Sequence, residues 1–337
     1  MLVNFLINLR LFLANLFKGG DFYHLQVSNV HWIAHKSYDK VLKDYYDYLQ
    51  RLLLQSLDQV NEPCIVSLDC AQLKGSQFLL PFRSIALQIE HTLVKPGARD
   101  SENAPTGLIP ISVSDEKYLV RLANYEHLKD ADLVFEYSRI NQFNVEQVVE
   151  FSSYSKKTFC ISPALYALRE SSLVLEKERH LGTITLFGNP NEPRRKGFLV
   201  DLQSKKVKSK NINNVFSGIE DVYRQTKILI NIHQTDHHDT LEELRVLPAL
   251  RCGVIVISEK SPLVEQTGYS KYIIWGELSE LPGIILDIQN NYEEWHQKIF
   301  QHSGFRNRMN RISKRNELVA SKAMDFLNTY NRDSTLI

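Results

Sequence analysis

Short runs of β-branched and aliphatic residues alternate with amphipathic stretches along most of the chain, the rhythm of an α/β protein. Strand signals fall at Cys64–Leu68, Ser84–Ile89, Tyr118–Leu122, Leu133–Tyr137 and Thr158–Ser162. Helical periodicity predicts a long helix from about Ser37 to Val60 and further helices at Gln142–Phe151 and Ala164–Glu178. The pattern then repeats. Gly182–Gly188 and Lys227–His233 read as strands, Thr240–Leu250 as an amphipathic helix closed by Cys252-Gly253, and Val254–Ser258 as another strand. Strand Tyr272–Trp275 and helices Pro282–Phe300 and Asn316–Tyr330 complete the series. The runs at 227–233 and 254–258 are short β-branched runs that end in polar residues, as parallel strands covered on both faces do. In open α/β sheets ligands bind beyond the carboxyl ends of such strands. There the sequence places His233, Gln234, Ser258 and Glu259.

Two stretches stand outside this rhythm. The first eighteen residues, MLVNFLINLRLFLANLFK, put Asn4, Asn8, Asn15 and Lys18 on one narrow helical stripe with Arg10 off it. Such a helix packs into the protein or lies in a membrane interface, and both readings stand. Its five polar residues argue against a span, and it lacks the basic start and cleavage site of a secretory signal. Between Lys95 and Ser114 a loop with three prolines and two glycines is too long for a simple connector. The expected division is an amphipathic helix at 1–20, an α/β domain at 21–178, a Rossmann-like domain at 179–315, and a crossing helix and tail at 316–337.

Composition narrows the functional classes. A length of 337 residues suits two domains, and 43% hydrophobic with 23% charged residues suits a soluble enzyme. A formal net charge of +1 argues against a dedicated nucleic-acid binder. Four scattered cysteines fit buried thiols in a reducing cytoplasm, and no Cys/His spacing suggests zinc. The loop HQTDHHD (233–239) holds three histidines and two aspartates, but only His233 sits on a defined element, so no metal is expected. Asp239 and Glu242 instead have the spacing of a capping box for the following helix. Glu259 can accept hydrogen bonds from a ligand, cap the next helix or pair with Lys260. Ser258 and Ser261 can offer hydroxyls to a phosphate, although Ser261-Pro262 is also an ordinary helix start. In the first half, Glu90 and His91 end a strand, and the long loop then presents Lys95, Arg99, Asp100 and Ser101. Carboxylate, imidazole and cations at strand tips are the materials of acid/base or nucleophilic chemistry. Asp100 is equally at home as a turn residue in a Gly/Pro-rich loop. The basic run RNRMNRISKR (306–315) is either a solvated helix face or, with the N-terminal helix, a contact for anionic lipid.

The segment KILINIHQTDHHDTLEELRVLPALRCGVIVISE (227–259) resembles the nucleotide-binding domain of GT-B glycosyltransferases. The likeness reaches back to GTITLFG (182–188) and NPNEPRR (189–195), covering roughly residues 180 to 300. It implies two Rossmann-like domains facing a cleft, with the C-terminal helix crossing back onto the first. It further implies that Glu259 holds the donor ribose, with Ser258, His233, Ser261, Arg194 and Arg195 around the donor phosphate. One departure is that Glu259 and Glu265 have five residues between them, where many retaining diphosphate-sugar enzymes have seven. In the first half, EHTLVKPGARDS, YLVRLANY and DLVFEYSRIN look like the acceptor side of bacterial retaining β-Kdo transferases, which use CMP-Kdo. That likeness makes Asp100 the nucleophile, with Asp69 in reserve, and Glu90 and His91 its neighbours. Lys95, Arg99 and Arg139 would meet the sugar acid's carboxylate. The expectation is a cytoplasmic enzyme of lipopolysaccharide or capsule synthesis, peripheral at the inner membrane face. It would take a nucleotide-sugar as co-substrate, a glycan or lipid-linked acceptor, and no metal, cofactor or nucleic acid. The alternatives are a UDP- or GDP-sugar transferase and an inactive GT-B-like scaffold of a polysaccharide-assembly complex.

Overall fold

A computed structural model describes residues 5–9, 12, 22–57, 64–68, 83–97, 109–113, 116–123, 125–173, 179–213, 218–236, 239–301 and 303–329. The strands are β1 (Phe22–Val27), β2 (Val30–His35), β3 (Cys64–Leu68), β4 (Arg83–Gln88), β5 (Leu93–Val94), β6 (Ile109–Val113) and β7 (Glu116–Val120). They continue with β8 (Leu133–Glu136), β9 (Thr158–Cys160), β10 (Leu181–Thr185), β11 (Lys210–Asn211), β12 (Thr226–Asn231), β13 (Ile255–Glu259) and β14 (Ile274–Gly276). The helices that matter here are α1 (Lys36–Leu57), α2 (Tyr125–Asp130), α3 (Arg139–Glu146), α4 (Pro193–Ser204) and α5 (Glu220–Gln225). They are followed by α6 (Glu243–Arg251), α7 (Leu281–Asn290), α8 (Tyr292–Phe300) and α9 (Ser303–Thr329).

The first half is a six-stranded sheet in the order β1-β2-β3-β4-β8-β9, parallel except for the β1–β2 hairpin. Alternate residues of β4 and β8 serve two cores. Ile85, Leu87, Leu133 and Phe135 face α1 and the end of α9, while Ala86 and Val134 face Val120, Phe151 and Tyr154. A small antiparallel sheet, β5-β7-β6, covers that second face. β6 lies inside the stretch expected to be loop.

The second half is an all-parallel sheet ordered β11-β10-β12-β13-β14. In chain order this is 2-1-3-4-5, so the direction of winding reverses between β10 and β12, and a crevice opens at their carboxyl ends. Every residue of β13 is buried, its Ile255–Ile257 run covered on both faces and its polar end, Ser258 and Glu259, enclosed as well. Gly276 in β14 is required by packing, since a Cβ there would lie 2.6 Å from Ile284 Cδ1.

The two sheets turn their carboxyl ends toward each other, and α9 ties the halves at the back. Its start packs Phe305, Met309 and Ile312 into the second core, and its end packs Ala323, Met324 and Leu327 into the first. At the crossing point Asn316 donates to the Ser162 carbonyl at 2.7 Å and accepts from its N–H at 3.2 Å. Two α/β halves with facing parallel sheets and a helix crossing back onto the first are what the resemblance implied, with a longer crossing helix than expected.

Three elements differ from expectation. Residues 161–169 form neither helix nor strand, and among the described residues of the expected helix 164–178 only Glu170–Leu173 is helical. The expected helix 282–300 is two helices, α7 and α8. α6 begins at Glu243 with no side-chain cap, because Asp239 and Glu242 are engaged elsewhere. Helical residues 5–9 bury Ile7 and expose Phe5 and Leu9. No helix among the described residues is long and apolar enough to cross a membrane.

Candidate active site at the facing strand ends

The crevice at the reversal point is furnished from three strands. β10 leads through a tight loop into α4, whose first turn carries Arg194 and Arg195. β12 ends at Asn231 and is followed by His233, and β13 ends at Glu259. Arg194 fills the space between these tips. Its Nε donates to Asp236 Oδ1 at 2.6 Å, Nη1 donates to Glu259 Oε2 at 2.8 Å, and Nη2 donates to Glu259 Oε1. Glu259 Oε2 also accepts the His233 backbone N–H at 3.1 Å. Burial alone would lower the Arg194 pKa, but the two carboxylates hold it above the ordinary value.

The expected ribose acceptor is therefore an arginine partner here, with both its oxygens engaged. Lys260 pairs with Glu277 rather than with Glu259. Ser258 is fully buried, accepts from Asn231 Nδ2 at 3.0 Å and donates to the Glu259 carbonyl, so its hydroxyl faces the sheet rather than the crevice. His233 Nε2 lies 2.9 Å from Ser261 Oγ, and Nδ1 lies 3.6 Å from Asp239 and 3.5 Å from Glu259. Burial lowers the His233 pKa despite these carboxylates, so the ring is neutral near pH 7. The carboxylates favour the proton on Nδ1, which leaves Nε2 to accept from Ser261.

Arg195 behaves differently from its neighbour. It is 4% exposed, stacks its guanidinium 4.9 Å from the centroid of Phe187, and presents no acceptor to its Nε. Burial, and then the nearby charge of Arg245, lower its pKa to about 10. Glu242 and Glu192 pull the other way, but neither forms an ion pair with it among the described residues, so the buried cation is only partly compensated.

The first half closes over this crevice. Lys95 pairs with Asp239 at 2.8 Å, Tyr118 donates to the same carboxylate at 2.9 Å, and His91 Nε2 lies 3.7 Å from Glu242. Deeper, Ser138 donates to Glu243 at 2.7 Å and Tyr269 donates to it at 2.9 Å. Beside it Glu136 accepts from the Ser138 N–H and Asn141 Nδ2. Burial raises the pKa of both acids, that of Glu243 to about 7.

Of the expected site residues, Arg194, Arg195, His233, Ser261 and Glu259 are thus gathered at one crevice, with Lys95 and His91 reaching in from the opposite half. Glu90 sits in the turn before β5, its carbonyl accepting from Asn141 and Gln88. Asp69, Arg99, Asp100, His237 and His238 lie outside the described residues. Sequence reasoning missed Arg245, Tyr118, Glu136 and Glu243, and weighed Asp236 only as one of the loop's metal-ligand types. Only Glu243 carried a signal, as an acid on the apolar face of an amphipathic helix.

No family model matches the chain. One curated relative, the uncharacterized protein R358 of Acanthamoeba polyphaga mimivirus, is 29% identical over 119 residues, 34% of this chain and 42% of that protein. The chain thus spans less than half of that relative. Solved structures with a similar course include the glycotransferase of kitacinnamycin (TM-score 0.36, 10% identity, 84% of this chain and 80% of that one). Another is an α-glucosyltransferase in complex with UDP-glucose and DNA containing an abasic site (TM-score 0.31, 12% identity, 86% and 82%).

Proposed function

We propose that the chain is a glycosyltransferase whose second half binds a nucleotide-sugar donor and whose first half presents the acceptor. The observation that carries this reading is Arg195, a buried and poorly compensated cation at the reversal point of a 2-1-3-4-5 sheet. A donor phosphate placed there would gain the guanidinium and, from the other half, Lys95. Ser261 and His233 would meet the leaving group, with the neutral imidazole available as a hydrogen-bond partner rather than a charge. Glu259 would act on the donor through Arg194, or would reach the ribose once a phosphate has drawn Arg194 away.

The finer reading is a CMP-linked sugar acid moved onto a glycan of the bacterial surface, with Asp100 as nucleophile and Glu90 and His91 nearby. It rests on the sequence resemblance in the first half. A diphosphate-sugar donor is the second reading, favoured by three arginines, 194, 195 and 245, within one neighbourhood.

Thermal shift against CMP, UDP, GDP and their sugar conjugates separates these readings, because a ligand that binds only the folded state raises its apparent stability. A shift with CMP alone supports the sugar-acid reading, and a shift with UDP or GDP supports the second. No shift with any nucleotide removes the transferase proposal and leaves the scaffold. Turnover in Asp100→Asn at the wild-type rate would remove Asp100 as nucleophile.

A further inference from the structure

At the opposite, amino-terminal ends of β10 and β12 the second half has another concavity, of about 360 Å³. That is within the size range of small-molecule sites. Three lysines from separate segments line it: Lys206 after α4, Lys208 before β11, and Lys227 at the start of β12. Among the described residues none of the three makes an ion pair. Lys227 Nζ instead lies 5.1 Å from the centroid of the Tyr292 ring, and the Tyr292 hydroxyl is buried without a hydrogen-bond partner. Gln289 braces the wall, donating to Thr183 Oγ1 at 2.6 Å and to the Lys208 carbonyl at 2.7 Å.

The backbone points the same way. α4 ends in a Schellman turn, with Val207 N–H bonded to the Leu202 carbonyl and Lys206 N–H bonded to that of Gln203. The residue at its left-handed position is ordinarily glycine, but here it is Lys206 at φ 58°. A lysine there keeps a strained backbone in exchange for a cation at the pocket rim. Compensation of a helix C-terminus would account for Lys205 and Lys206 but not for Lys208 or Lys227.

We infer that this pocket binds a small phosphate ester carrying two or more negative charges, at a site separate from the cleft. Lysine suits such a ligand, since each ammonium is a compact charge whose three donors turn to meet several oxygens. The Tyr292 ring and the exposed edge of Leu286 supply an apolar wall for the organic part. A five-residue strand separates the two sites by about 17 Å, so both can be filled at once.

Pyrophosphate is the probe, titrated calorimetrically at low salt into the Arg194→Ala/Arg195→Ala protein, where the two arginine contacts of the cleft are removed. One site is expected to remain. Lys208→Gln or Lys227→Gln in that background should weaken it about tenfold, the loss of one charge-assisted contact, while Lys322→Gln on α9 should not. Lys206→Gly should weaken it too while raising the melting temperature, which separates lost binding from lost fold. Abolition of all binding by the arginine changes alone, equal losses with Lys322→Gln, or no effect of the pocket lysines would each overturn the inference.

Discussion

Replacing Glu243 with alanine removes the acceptor on which the two halves converge. The side chain belongs to α6 of the second half, yet it receives the hydroxyl of Ser138 and is approached by the backbone N–H groups of Arg139 and Ile140, all from the first half. It therefore caps α3 across the domain boundary, while Tyr269 holds it from its own side. A buried donor left without a partner costs about 1–3 kcal/mol. Two hydroxyls and two N–H groups set the upper range, and water entering the space vacated by the carboxylate offsets part of it. A net loss of about 4 kcal/mol is expected, large against the usual 5–15 kcal/mol of a domain.

The same residue makes stability depend on pH in a particular direction. Its folded pKa of about 7 is above the ordinary carboxylate value, chiefly because burial penalises the charge. A raised folded value means the folded state holds the proton more tightly. The stability from this group is complete below about pH 4.5 and is lost as pH rises through 7. A shift of that size corresponds to about 3 kcal/mol. Glu136 nearby is raised too and acts in the same direction. Urea denaturation from pH 5 to 8 of wild type and Glu243→Gln isolates the effect, since the amide does not titrate. The wild type should lose its advantage over the variant by about 3 kcal/mol across that range. A difference that stays constant with pH, or a Glu243→Ala protein as stable as wild type, would refute the cross-domain cap.

Other changes test separate parts of the structure. Arg195→Met should stabilise the unliganded protein by about 1 kcal/mol, because an apolar chain replaces a poorly compensated buried cation; calorimetric nucleotide affinity should fall in the same variant. Glu259→Ala should cost about 3 kcal/mol by leaving Arg194 partly buried without its main partner, read by chemical denaturation. Gly276→Ala should cost about 1–3 kcal/mol through overpacking against Ile284 and Leu281. Lys206→Gly should gain about 0.5–1 kcal/mol by relieving its left-handed backbone, again read by denaturation.

The second half was the more legible part in sequence because its strands are buried on both faces. β12 and β13 are built on the unbroken apolar runs Ile228–Ile230 and Ile255–Ile257, and the expected boundaries fall within two residues of those found. The β1–β2 hairpin escaped notice because FYHLQV and VHWIAH mix aromatic, basic and aliphatic residues. Its two-residue Ser28-Asn29 turn, with Ser28 at φ 53°, was the available signal. Residues 164–169 have helical periodicity, but tertiary partners take carbonyls there and in the residues just before. Tyr45 bonds to Ile161, Asn316 to Ser162, Arg251 to Tyr166 and Arg224 to Ala167. The 239–242 capping box failed for the same reason, since Lys95 and Tyr118 draw Asp239 toward the other half. Such long-range competition leaves no trace in local pattern.

Arg194 and Arg195 show how far residue type alone could define the site. Consecutive residues on a helix point about 100° apart, so one arginine turns toward the tips of β12 and β13 and the other toward Phe187. The first is fully forked onto Asp236 and Glu259, and a phosphate reaching it must compete with two carboxylates already in place. The second is buried beside a like charge, forms no ion pair among the described residues, and feels Glu242 and Glu192 only as neighbouring charges. On the proposed function, the electrostatic gain on binding a phosphate would therefore be concentrated at Arg195, while Arg194 would work as a clasp that sets the spacing of the strand tips. A donor strong enough to pull Arg194 from Glu259 would free that carboxylate for hydroxyl groups. In that way one crevice could offer first an anion site and then an acceptor for ribose, in the order that a nucleotide's phosphate and sugar would demand.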